Sequence, residues 1–169
     1  MKEKRKQICL YIVIALLIGI EQLIKFIVIN NFSNMPIGII GNLLKINYCE
    51  NTGIAFGLGS GNVIVFIIIN VVILGIIARF ICGEKDRLDF GSKFVFGLVL
   101  AGGTSNLIDR IARGFVVDYI DITGLVNFPI FNMADVLIFI GVIGYGILSL
   151  KYIIRKNKEE KFEQANNQQ

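Results

Sequence analysis

Three aspartates stand where a strongly apolar chain gains least from them. Asp109 closes the apolar run that begins at Phe94, Asp118 lies in Gly-Phe-Val-Val-Asp-Tyr-Ile-Asp, and Asp135 opens the last apolar run inside Phe-Asn-Met-Ala-Asp. An ionisable group at a bilayer boundary is costly unless it is paired, hydrated or used, so each is a candidate for function. Two carboxylates that share a site cannot both ionise cheaply, and one keeps its proton near neutrality. The ionised partner can then take a proton from water while the other donates to a substrate carbonyl or leaving nitrogen. The chain contains no His, which excludes a Ser/His/Asp set and removes the commonest metal ligand. A Ser/Lys dyad is also disfavoured, because the adjacent pair Ser92–Lys93 falls at the opposite end of its span. Hydrolysis by an aspartate pair is the acid–base scheme this inventory supports best.

The elements that must position these groups follow from composition. Hydrophobic residues make up 54% of the chain and mean hydropathy is +0.69, values of an integral membrane protein. A span needs roughly 20 mostly apolar residues, and in hydrocarbon such runs satisfy their backbone as helices. Four are expected, at about 8–29, 63–81, 90–108 and 131–154, within a single domain of 169 residues. They leave outer loops at 30–62 and 109–130 and a charged tail at 155–169. The fold class expected is an all-α membrane protein of four transmembrane helices with a small β-like platform on the outer face. The first span is too long for a signal-peptide core and lacks an Ala-x-Ala-like site, so it reads as a retained anchor.

Charge sets the orientation. Lys2, Lys4, Arg5 and Lys6 precede the first span, Arg79, Lys85, Arg87 and Lys93 flank the middle link, and further lysines and arginines follow from Lys151. The alternate loops carry only Lys45, Arg110 and Arg113. By the positive-inside rule both termini are cytoplasmic, which puts the polar groups of the alternate loops on the outer side. The net charge of +4 is thus topogenic, and no nucleic-acid partner is expected. Cys9, Cys49 and Cys82 show no metal-type spacing, so neither metal nor cofactor is expected.

In that orientation the polar residues gather at one depth. Glu21 and Lys25, one helical turn apart, suit a neutralising ion pair. Asn106, Asp109 and Arg110 end the third span, and Asp109–Arg110 fits a helix-end network as well as a catalytic role. Asn51 and Gly53 lie in the first outer loop, Asp121 suits a turn cap, and Asn132 shares a face with Asp135. Asn106 and Asn132 can satisfy exposed backbone or orient a carboxylate. Asn70 reads as interhelical glue. Asp118 and Asp135 have no cation or cap in their immediate sequence to explain them, and are the expected catalytic pair. Gly97, Ala101 and Ser105 form a small-residue stripe that lets another helix close in and bring the pair together. Residues 43–48 suit a short strand, and Gly53, Gly57, Gly59 and Gly61 give the following stretch freedom to close over a substrate.

Four motifs carry a family resemblance: Asn-Thr-Gly-Ile-Ala-Phe-Gly from Asn51, Gly-Gly-Thr-Ser-Asn-Leu-Ile-Asp-Arg ending at Arg110, the segment from Gly114 to Asp121, and Phe-Asn-Met-Ala-Asp ending at Asp135. In order and spacing they resemble those of bacterial lipoprotein signal peptidase, signal peptidase II. The resemblance implies an aspartic endopeptidase that removes signal peptides from prolipoproteins, cutting before a cysteine that carries diacylglyceryl. It places Asp118 and Asp135 on the catalytic pair. Asn51, Gly53, Asn106, Asp109, Arg110 and Asn132 fall on supporting polar positions, and Lys25 on the lysine of a first-span Asp-Gln-x-x-Lys motif. Its partners would be lipid-modified prolipoprotein signal peptides and membrane lipids. Glu21 departs from that motif's aspartate, and Thr104-Ser105 stands where Leu-Gly is frequent. The rival readings are a small transporter or proton conductor, which needs polar groups at several depths, and a non-catalytic scaffold, for which Asp118 and Asp135 would be dispensable.

Overall fold

The structure, a computed structural model, describes residues 2–53, 63–82 and 88–166. Four helices span it: α1 (Lys2–Phe32), α2 (Val63–Cys82), α3 (Phe90–Arg113) and α4 (Met133–Asn166). Each is long and apolar enough to cross a membrane. Apolar side chains such as Ile12, Leu16, Ile64, Ile68, Phe139 and Ile143 are exposed along them, as expected where the solvent is lipid. Three strands, β1 (Ile37–Ile40), β2 (Leu44–Asn51) and β3 (Val116–Asp121), form an antiparallel sheet in the order β1-β2-β3. This is the four-helix membrane fold with a small platform that composition predicts. The platform is larger than expected, because the segment carrying Asp118 is itself a strand rather than loop. The closing segment proposed at Gly57, Gly59 and Gly61, and the basic residues Lys85 and Arg87, lie outside the described residues.

Helix ends are set by local chemistry. Asp89 caps α3, its carboxylate accepting from the Ser92 hydroxyl and from the Gly91 and Ser92 amides, and these bonds, the hydroxyl's foremost, hold it below the usual carboxylate range. Gly114 ends the same helix in the left-handed region, φ 83°, a conformation glycine adopts without a Cβ clash. α4 begins with a reciprocal cap. The Asp135 amide donates to Asn132 Oδ1 at 2.9 Å, and the Asn132 amide donates back to Asp135 Oδ2 at 3.1 Å. Asp135 therefore does have a local role, contrary to the sequence reading. The asparagine three residues before it was the signal.

α3 is the central helix, packed by α1, α2 and α4. The helix that the small-residue stripe admits is α1. Gly97 faces Leu10 and Ile14 of α1, Ala101 packs in the same apolar cluster, and Ser105 accepts from Gln22 of α1 at 3.0 Å. The residue that lets α4 close is Gly102. A Cβ there would collide with the Ala134 carbonyl and with Ile138. Adjacent helical residues point about 100° apart, so Gly102 faces a different helix from Ala101. Asn70, expected to join helices, makes no side-chain hydrogen bond among the described residues.

Candidate active site

The sheet brings Asp118 over the ends of three helices. Its neighbours Val117 and Tyr119 share a buried cluster with Val28 of α1, so strand alternation turns Asp118 to the opposite face. Across the strand pair Asp118 stands opposite Cys49, and Val116 opposite Asn51. That register lets Asn51 Nδ2 donate to Asp118 Oδ2 at 2.9 Å. The other carboxylate oxygen accepts from Asn132 Nδ2 at 2.7 Å. Asn51 is itself fixed, because its Oδ1 accepts the Gly53 amide at 3.0 Å.

Asp135 comes from the first turn of α4. Its Oδ1 accepts from Asn106 Nδ2 at 2.8 Å, and Oδ2 from the Asn132 amide. Asn132, fully buried, thus touches both acids: its side chain donates to Asp118 and its backbone to Asp135. Among the described residues, every hydrogen-bond donor to the pair is an uncharged amide. Asp118 is buried and Asp135 largely so, with part of its surface accessible. Burial first, and the charge of Asp135 second, push the Asp118 carboxyl up to about 7 against the pull of its asparagine bonds.

Beside the pair lies a cluster of another kind. Lys25, fully buried, pairs with Asp109 at 2.7 Å and donates to Asn106 Oδ1 at 2.8 Å. Its Nζ is 3.8 Å from Glu21, so the expected Glu21–Lys25 pair is the looser of its two ion pairs. Asp109 also pairs with Arg113 and accepts from Gln22 at 3.2 Å and from the Val117 amide at 3.1 Å. Asp109 and Arg110 form the expected helix-end network that anchors the loops, each through its own partners, since neighbours in sequence leave a helix in different directions. Arg110 donates to the Gly53 carbonyl at 2.9 Å, pinning the first loop against α3. Asp121 caps a turn, accepting from the Thr123 amide at 2.9 Å and from Asn47 at 2.8 Å.

Three contributors escaped the sequence reading. Gln22 and Arg113 complete the Asp109 cluster, and Tyr119 donates to Glu21 at 2.9 Å. A glutamine inside an apolar span was a usable signal; nothing in sequence marks Tyr119.

Residues 13–152 match the family described as Signal peptidase (SPase) II. This chain belongs to the signal peptidase II family. It is 38% identical over 154 residues to the lipoprotein signal peptidase of Shouchella clausii, covering 89% of this chain and 97% of that one. Identity to the lipoprotein signal peptidase of Streptococcus pneumoniae is 34% over 158 residues, covering 90% and 99% respectively. Among solved structures it resembles a bacterial membrane enzyme determined by the in meso method at 1.9 Å, with a TM-score of 0.75 and 32% identity over 85% of this chain and 93% of that one. Membership of signal peptidase II makes the chain a multi-pass membrane peptidase.

Proposed function

We propose that the chain removes signal peptides from prolipoproteins by aspartyl hydrolysis, at the extracytoplasmic face of the cytoplasmic membrane. The observation that carries this reading is the pair Asp118 and Asp135, joined through Asn132 and held, among the described residues, by uncharged amides. Asp118, raised to about 7, keeps a proton below that pH and donates it to the scissile carbonyl or the leaving nitrogen. Asp135, the more accessible member, takes a proton from the attacking water. Asn51, Asn106 and Asn132 orient the two carboxylates without fixing their charge. Glu21, Lys25, Asp109 and Arg110 hold the helices and the first loop around them.

The polar groups that meet at this site all lie at the sheet end of the bundle, which suits lateral entry of a substrate helix from the bilayer. A through-pathway would need comparable groups in the other half. There the helices bury Leu10, Ile14, Ile81 and Ala101. Acyl chains on the cysteine after the scissile bond would stay in hydrocarbon at roughly 0.8 kcal/mol per methylene, setting the depth of the cut. The test is cleavage of one precursor with and without diacylglyceryl in the same vesicles, by wild type and by Asp118→Asn. The lipidated form should be cut at least about tenfold faster, a difference of about 1.4 kcal/mol, and only by wild type. Equal rates for the two substrates would remove lipid from the recognition.

A further inference from the structure

One buried acid near the site has no part in the hydrolysis. Glu21 is 2% exposed. Its Oε2 accepts from Tyr119 Oη at 2.9 Å, while Oε1 is buried with no hydrogen-bond partner among the described residues. Lys25 is 3.8 Å away and engaged with Asp109 and Asn106. The phenol is thus the only side-chain hydrogen-bond donor to this carboxylate among the described residues, with the Ala134 backbone amide close by.

The same phenolic oxygen accepts the Met133 amide at 3.3 Å. That amide lies in the first turn of α4, where no intrahelical acceptor exists. One atom therefore ties α1, β3 and α4 together. Tyr119 follows Asp118 directly, and Met133 comes two residues before Asp135. On the other side of Asp118, the Val117 amide is held by Asp109 at 3.1 Å. The strand is thereby clamped on both sides of the aspartate, and the Tyr119 clamp alone reaches the helix that carries the second one. Burial and the neighbouring Glu21 raise the phenol above its ordinary range, so it remains a neutral donor.

We infer that Tyr119 is a positioning residue for cleavage: its hydroxyl, held between Glu21 and the Met133 amide, sets the spacing of Asp118 and Asp135. The inference rests on the aspartyl reading above. A misplacement of about 1 Å can lower a rate by about 10²-fold, and loss of one clamp should give part of that. Tyr119→Phe also strands the Glu21 carboxylate, which could prevent folding. The decisive variant is therefore Tyr119→Phe in a Glu21→Gln background, where the residue left without its donor is uncharged.

Purified wild type, E21Q, Y119F, E21Q/Y119F and D118N are compared on a diacylglyceryl-modified precursor, with kcat and KM measured separately. The expected result is a kcat about tenfold lower in E21Q/Y119F than in E21Q, with KM within about twofold and the thermal midpoint near that of E21Q. An unchanged kcat in folded E21Q/Y119F overturns the inference, as does a change confined to KM. Cleavage by D118N overturns the aspartyl reading itself, whereas an inactive D118N beside an undiminished E21Q/Y119F removes only the role of Tyr119.

Discussion

Two groups of buried carboxylates meet at the same end of the bundle and are held by opposite means. Asp109 is gripped by cations, Lys25 and Arg113, with Gln22 and a backbone amide completing its shell. Asp118 and Asp135 accept, among the described residues, from amides alone, those of Asn51, Asn106 and Asn132. A cation at contact distance fixes a carboxylate as an anion, and burial makes that pairing obligatory. An amide also favours the anion, but its pull on Asp118 is outweighed by burial, so the carboxyl stays titratable near neutrality. The kind of donor thus separates the two roles where burial does not, since Asp109 and Asp118 are both buried. Asn106 links the groups, accepting from Lys25 and donating to Asp135, so the ionic cluster forms the rigid backing of the titratable one.

The sharpest way to break this comparison is to neutralise one acid from each group. Asp118→Asn and Asp135→Asn should each lower kcat by about 10²–10⁴-fold or more, with folded protein in the membrane at near wild-type amounts. Asp109→Asn should instead lower the amount of folded protein, because Lys25 and Arg113 lose their shared anion. Robust cleavage by either of the first two, in assays of matched protein, ends the aspartyl mechanism.

Within the ionic cluster, Lys25→Ala should cost about 3–5 kcal/mol, read as a lower thermal midpoint in detergent. It strips Asp109 of one cation and leaves Asn106 Oδ1 to Asn132 alone. Glu21→Gln should be milder, since the amide oxygen can still accept from Tyr119. Equal losses in the two would show that the network is not organised around Lys25.

Helix approach gives a smaller effect. Gly102→Ala drives a methyl into the Ala134 carbonyl, one residue from Asp135, and should cost about 1–3 kcal/mol together with some kcat. Gly97→Ala meets only the side-chain tips of Leu10 and Ile14, at 3.0 and 3.2 Å, and should be tolerated better. The ratio of the two kcat losses measures how far the α3–α4 contact serves catalysis.

The mildest perturbation is pH. With Asp118 raised to about 7, the singly protonated pair is lost as pH climbs, so kcat/KM should fall by about tenfold per unit above that point. The sign for stability is the same. A carboxyl whose folded pKa exceeds its unfolded value stabilises most fully below about 4, and that contribution is gone once pH has risen through about 7. A flat rate profile from pH 6 to 9 would place the shared proton elsewhere.

Much of this was readable in one dimension. Apolar length and composition determined four helices, because continuous apolar runs of roughly 20 residues satisfy their backbone in lipid as helices, whereas a barrel strand is about half as long. The ordered motifs pointed to the family, and the gathering of Asn51, Asn106, Asp118, Asn132 and Asp135 at one end followed from span order alone. Pairing was not readable. Helical spacing predicts neighbours three and four residues apart, which favoured Glu21–Lys25, yet the stronger bond of Lys25 crosses to Asp109 in another helix. Which faces meet depends on helix rotation, and that was decided by where α3 lacks a side chain: at Gly97 toward α1 and at Gly102 toward α4. The sheet register then determined that Asp118 faces Asn51 and Asn132 while Tyr119 turns inward to Glu21. Sequence determines which charges must be satisfied, since burial in lipid leaves no alternative. Only the packed structure decides by whom, because each partner is chosen from residues brought together by contacts far apart along the chain.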